Sequence, residues 1–204
     1  MKRIFLLFAI SLFGMSILSQ NLKVGTGLGI TSVNADNYNL TLKNVLSPQL
    51  LIGVDYWEHK LWNISSELTF LRKGIYEKNI VYRESADEQG KTGLKEHWAV
   101  VQLSNCFVLK IPNKNNNFIL GAGPTIDMVI GDLKQNRIIT NDLERFNLSL
   151  RTEVGYNFEP KERLGIGFKY AYNFPLTHSG RFFGNYPFNT GLSLFSIMLN
   201  YSVK

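Results

Sequence analysis

"FNLSLRTEVGYNF", Phe146 to Phe158, alternates with a period of two. Phe146, Leu148, Leu150, Thr152, Val154, Tyr156 and Phe158 fall on one face of an extended strand. Asn147, Ser149, Arg151, Glu153, Gly155 and Asn157 fall on the other. Such alternation marks a strand with one apolar face, and by itself does not say which face is enclosed. With the apolar face inward the stretch belongs to a soluble sheet and its charges are in water. With the apolar face outward, Arg151 and Glu153 are enclosed and the Phe and Leu side chains meet lipid.

The rest of the chain repeats the pattern and contains no convincing amphipathic helix. Period-two segments separated by turn-rich stretches predict strands over 22–33, 47–57, 61–78, 97–111, 118–130, 145–158, 163–174 and 190–203. The connections alternate in length. Those around Glu58-His59-Lys60, Pro112–Asn117 and Glu159–Glu162 are short and polar; those at Asn34–Leu46, Asn79–Glu96, Gly131–Glu144 and Pro175–Asn189 are long. An even strand number with short turns at one end and long loops at the other is the arrangement of barrels in the bacterial outer membrane.

One face collects Leu50, Ile52, Val54 and Tyr56, then Leu68 and Phe70, then Phe168, Tyr170, Tyr172 and Phe174. The other collects Gly25, Gly27 and Gly29, then Asp55, Glu67, Asp127 and Lys169. An eight-stranded barrel has room inside for little more than its own side chains, so the bulky set would overfill it. A soluble barrel would also wear a coat of Gly and Ser with few charges, contrary to what keeps a soluble domain dispersed. The outward placement fits: the bulky set faces lipid, and closure leaves no unpaired edge there. Aromatic side chains gather near the strand ends, with Tyr56, Trp62, Phe118, Tyr156 and Phe158 toward the turns and Tyr76, Phe146, Tyr172 and Phe174 toward the loops. The expected fold class is all-β, an eight-stranded antiparallel up-and-down transmembrane β-barrel.

Met1-Lys2-Arg3, the apolar run Ile4–Leu18 and the small residue Ser19 form the layout of a secretory signal peptide. The run is shorter than the roughly 20 residues a spanning helix needs. Residues 1–19 are therefore expected to be a cleaved signal peptide and 20–204 the barrel domain. The formal charge of +6 includes Lys2 and Arg3, and the remainder is spread without a basic tract of the kind that binds nucleic acid. Cys106 is the single cysteine, which excludes an internal disulfide framework.

Enclosed charges must be paired. Letting Phe158 face Leu164 across the Glu159–Arg163 turn sets Val154 opposite Phe168 and Glu153 opposite Lys169. Arg151 then shares Glu153 or reaches Glu67, and pairing Ile111 with Phe118 sets Gln102 opposite Asp127. Glu67, Asp127, Arg151, Glu153 and Lys169 are thus the candidate interior polar network, expected to plug the lumen.

Other signals are weak. Gly25-Thr26-Gly27-Leu28-Gly29 lies along a strand, whereas a nucleotide loop requires a strand-to-helix turn. His59, His97 and His178 lack metal-ligand spacing, so no metal and no cofactor is expected. His178-Ser179 with a loop aspartate could be a hydrolase centre at the rim, but no nucleophile motif accompanies it. In "SGRFFGNYPFN", Ser179–Asn189, Arg181, Phe182, Phe183, Tyr186 and Phe188 are candidate contacts for a protein partner or for lipid. A loop folded over the barrel mouth explains them equally well.

"VVQLSNCFVLKIPNKNNNFILGAGPTIDMVIGD", Val100–Asp132, resembles the central hairpin of PorT-like outer-membrane β-barrel proteins, and "LRTEVGYNFEPKERLGIGFKYAYNF", Leu150–Phe174, the hairpin that follows. The chain departs from that pattern at Gln102-Leu103-Ser104 and in ending on Val203-Lys204 rather than on an aromatic residue. The resemblance implies a Gram-negative outer-membrane location, with outer-membrane lipids and the outer-membrane assembly machinery as partners. One family member is linked to protein secretion. The expected function is a non-enzymatic structural or surface-interaction role. The alternatives are an accessory component of a secretion or assembly complex, a rim-active membrane enzyme, and a soluble ligand-binding barrel.

Overall fold

Period-two sequence becomes strand along nearly all of the described residues. The computed structural model describes residues 19–35, 42–85, 88–113, 116–132, 140–161, 163–182 and 186–203. Its strands are β1 (Ser19–Ala35), β2 (Leu42–Lys43), β3 (Val45–Tyr56), β4 (Trp62–Ser85), β5 (Glu88–Asn113), β6 (Asn116–Asp132), β7 (Thr140–Leu143), β8 (Phe146–Lys161), β9 (Leu164–Pro175), β10 (Gly180–Phe182) and β11 (Tyr186–Ser202). Neighbours pair antiparallel in the order β1-β3-β4-β5-β6-β8-β9-β11, and β11 returns to β1. That closure makes an eight-stranded barrel. The short β2, β7 and β10 decorate its loop end, with β10 joining β11 to β7.

The seam runs from Asn21↔Ser202 to Ala35↔Phe188 in unbroken register. Gly27 makes it possible, because a Cβ there would run into the backbone carbonyl of Phe195 on β11.

The faces divide as the alternation predicts. Leu50, Ile52, Phe107, Leu120, Phe146, Leu148, Leu150, Val154, Phe168 and Ile197 are all exposed, while Ser149, Arg151 and Glu153 are buried. A soluble ligand-binding barrel is therefore overturned: its apolar side chains would be inside. From Phe146 to Phe158 the outer row of β8, at about 3.3 Å per residue and a tilt near 45°, spans roughly 28 Å of membrane normal. Exposed cations bound the belt, with Lys60 and Arg163 at the turn end and Arg72 and Arg145 at the loop end, where their heads reach water. No helix in the described residues is long and apolar enough to cross a membrane; this chain crosses with strands.

Four expectations change. The stretch 79–96, expected as a long connection, is mostly hairpin: β4 and β5 stay paired out to Ser85↔Glu88. It stands beyond the apolar belt, where neither face needs to be apolar and the period-two signal vanishes. The β8–β9 register is displaced by two, with Phe158 opposite Ile166, Val154 opposite Tyr170 and Glu153 opposite Ala171. The cause is that β8 runs on to Lys161, opposite Leu164, with an irregularity after Phe158. An even displacement leaves every side chain on its predicted face. Tyr56, expected in the outer aromatic set, is only 2% exposed; its hydroxyl lies 3.1 Å from both Ser66 Oγ and Asn105 Oδ1. Finally, the interior is not merely polar or small. Leu51, Leu71, Val108, Ile119, Leu194 and Met198 are buried within it, and glycines on adjacent strands make room: a Cβ at Gly155 would lie 3.0 Å from Ile119, and one at Gly25 would lie 2.9 Å from Met198.

Candidate functional site

Strand β4 traverses the lumen from the turn end to the loop end. Its inward side chains Asn63, Ser65, Glu67, Thr69, Leu71, Lys73 and Ile75 are buried in succession, one step of alternation apart. Polar and apolar layers therefore stack along the barrel axis.

Nearest the turns, Lys23 Nζ lies 2.6 Å from Asp55 Oδ1 and donates to Ser65 Oγ at 3.1 Å. In the β3–β4 turn itself, Glu58 accepts from Asn21 (2.8 Å) and Lys110 (2.6 Å). Cys106, Val108 and Ile119 form a small apolar patch beside this layer.

The middle layer is the densest. Arg151, fully buried, sets one terminal nitrogen 3.0 Å from Glu67, its Nε 3.2 Å from Glu153, and donates to Ser104 Oγ at 2.9 Å. Lys169 donates to the other oxygen of Glu67 and lies 3.3 Å from Glu153. Two cations and two carboxylates thus form a closed four-membered ring from β4, β8 and β9. Gly121 supplies space for it, since a Cβ there would lie 2.7 Å from Glu153 Cγ. Removing one member of such a ring leaves an uncompensated buried charge, which costs about 3–5 kcal/mol.

Above an apolar layer of Leu71, Ala171, Leu192 and Leu194, Lys73 binds Asp127 (2.6 Å) and Thr190 (3.2 Å), while Gln102 donates to the second Asp127 oxygen (2.6 Å). The expected network is therefore two clusters. Glu67, Arg151, Glu153 and Lys169 come together; Asp127 lies apart with Lys73. Gln102 stands opposite Asp127 and Ile111 opposite Phe118, as the hairpin register predicts. The Lys23–Asp55 and Lys73–Asp127 pairs are not in the predicted set. Lys73 falls on the inward parity of β4, four steps along from Ser65, and that was the available signal.

An apolar cap closes the loop end: Ile75, Trp98, Val100 and Phe188 are buried together, the Trp98 and Phe188 rings edge to face at 6.5 Å. Phe188 is thus not an exposed contact residue as expected, because β11 carries it inward opposite Ala35. Arg181 is exposed, opposite Pro187 and Asp142 in the β10 pairings. Phe182 and Tyr186 are partners in the β10–β11 hairpin, and Phe183 lies outside the described residues.

His178 and Ser179 point apart. Ser179 is buried, with Oγ 2.8 Å from Thr190 Oγ1 and accepting from the Thr190 amide at 3.1 Å. His178 is exposed, and its Nδ1 lies 3.0 Å from the side-chain amide of Asn189. Ser179 is thus bonded to Thr190 and His178 to Asn189, and the two are not joined as a nucleophile–base pair. Among the described residues no cluster of His, Cys, Asp and Glu could hold a metal ion.

No family model and no curated protein matches the chain. Solved barrels do. Neisserial surface protein A (NspA) is similar with a TM-score of 0.56 at 10% identity, over 89% of this chain and 96% of that one. The outer-membrane protein OprG from Pseudomonas aeruginosa is similar at 0.54 and 11% identity, over 91% of this chain and 97% of that one. The fold is that of outer-membrane β-barrels.

Proposed function

We propose that this protein is an outer-membrane barrel of the Gram-negative envelope with a plugged lumen, serving a structural or surface-interaction role rather than transport or catalysis. The observation that carries this reading is charge balance within the lumen. Each buried polar layer pairs its own charges: Lys23 with Asp55, Glu67 and Glu153 with Arg151 and Lys169, Lys73 with Asp127. An apolar layer of Leu71, Ala171, Leu192 and Leu194 separates the ring from the Lys73–Asp127 pair, so a hydrated ion meets neither an unpaired counter-charge nor a continuous wet path. Planar-bilayer recording tests it. The expected trace is flat apart from brief, small openings; a large steady conductance overturns the plug.

Residues 1–19 act as the cleaved signal peptide on this reading, although 1–18 lie outside the described residues. Lipids of the outer membrane cover the apolar belt, and the assembly machinery of that membrane inserts the barrel. Arg181, with Phe182 and Tyr186 of the β10–β11 hairpin and Phe183 next in the sequence, is the proposed contact for a protein partner.

The finer assignment, to PorT-like proteins, rests on the hairpins Val100–Asp132 and Leu150–Phe174. It favours an accessory role in a secretion or assembly complex as the second reading. Mild-detergent purification from the native envelope separates the two: a stoichiometric partner supports the accessory role, and a lone barrel supports the structural one.

A further inference from the structure

At the turn end the lumen opens as a cavity of about 230 Å³, the share of liquid volume of about eight water molecules. Its walls come from both sides of the barrel. Asn63 on β4, Asn157 on β8 and Asn200 on β11 line it, over the apolar side chains of Val108 and Ile119.

Four charged side chains of its wall are paired within it: Lys23 is engaged by Asp55 and Ser65, and Lys110 by Glu58. Glu159 and Arg163, also in the wall, are exposed near the β8–β9 turn. The amides are not so engaged. Asn63 is 1% exposed, yet neither its Oδ1 nor its Nδ2 has a hydrogen-bond partner. Asn200 Oδ1 is likewise unpartnered, while its Nδ2 makes a long 3.4 Å contact to Asn157 Oδ1. A buried amide left without partners costs about 1–3 kcal/mol, so Asn63 is held ready for a group that supplies both a donor and an acceptor.

We propose that this cavity binds a neutral polyhydroxylated ring, a sugar, entering from the turn side. The chemistry selects this class. A carboxylate only accepts and an ammonium only donates, so neither can satisfy Asn63 at both atoms. A hydroxyl does both, and adjacent ring hydroxyls reach Asn63 and Asn200 together. The C–H face of the ring rests on Val108 and Ile119. Charge neutrality follows from the wall as a whole, where Lys23, Lys110 and Arg163 balance Asp55, Glu58 and Glu159 and leave no net charge for an ion. If the substituent is an acetamido group, its methyl meets the same apolar floor; plain and N-acetylated sugars therefore share the recognition chemistry, and the experiment tells them apart. The proposal rests on the outer-membrane reading only for the compartment the mouth faces, which is the periplasm.

The test is isothermal titration of the intact barrel in a detergent without a sugar headgroup, using N-acetylglucosamine and glucose separately, with acetate as an ionic control. Saturable binding of at least one sugar is expected, with none for acetate, and Asn63→Leu should weaken it at least tenfold. Heat-modifiable gel mobility confirms that the variant is folded; if it is not, Asn200→Ala, nearer the rim, serves in its place with a severalfold loss. Absence of saturable sugar binding overturns the site, as does binding that is equal in wild type and folded variants. Neither result bears on the plug, which conductance alone decides.

Discussion

Arg151 shows how one side chain can organise a lumen. It holds Glu67, Glu153 and Ser104 at once, so its deletion leaves two carboxylates competing for Lys169. Arg151→Met should lower stability by about 3–5 kcal/mol, read as a shift in the urea midpoint in lipid vesicles. Adding Glu153→Gln removes the surplus charge and leaves Glu67 with Lys169. The double variant should therefore be more stable than the single one, and an additive loss would mean that the ring is not a unit. The members of this ring were legible, because Arg151, Glu153, Glu67 and Lys169 share the inward parity of their strands. Their pairing was not fully legible, since Glu153 meets Lys169 diagonally across a register displaced by two. Tyr56 was not legible at all. Its parity places it with the outer row, but the small Ser66 beside it lets the ring reach Asn105. The turn that follows also holds Trp57 at φ 50°, a left-handed conformation that bulky residues rarely take and that no pattern in the sequence announces.

At the scale of strands, glycines decide where elements approach. Gly27 allows β1 to lie against β11, and a side chain there meets the Phe195 carbonyl, which cannot move without breaking the ladder. Gly27→Val should thus leave most of the chain in the heat-denatured gel position after refolding into vesicles, whereas Gly131→Ala, with only an ordinary 3.9 Å contact to Ala99, should refold like wild type. Equal refolding of the two would show that the seam tolerates a side chain. Element identity was legible for the barrel strands because each crosses the apolar belt and must alternate. The short β2, β7 and β10 and the outer part of the β4–β5 hairpin were not, because they lie past the belt and are set by tertiary pairing. The capping of the mouth by Phe188 belongs to the same class: a Phe at the loop end reads as exposed until β11 is seen to begin at Tyr186, which puts Phe188 on the buried parity of Thr190, Leu192 and Leu194.

For the molecule as a whole, the asymmetry of its two surfaces is the governing fact, and it was legible from alternation alone. Val154 and Arg151 sit on opposite faces of one strand, three residues apart. Val154→Arg puts a cation near the middle of the belt and should cost about 2–4 kcal/mol in bilayer stability, measured by the same urea titration. A change below about 0.5 kcal/mol, the usual scale for a water-exposed site, would mean that this face is not in lipid. The order of assembly follows from the seam. Its partners Asn21 and Ser202 lie near opposite ends of the described chain, the longest-range strand closure among the described pairings, and hydrocarbon tolerates no open sheet edge. A seven-stranded product of early termination has two such edges and no state in which lipid can accept it. The chain has no useful half-finished form. Whatever escorts it must wait for the last strand, and synthesis either delivers a complete cylinder or delivers material for degradation.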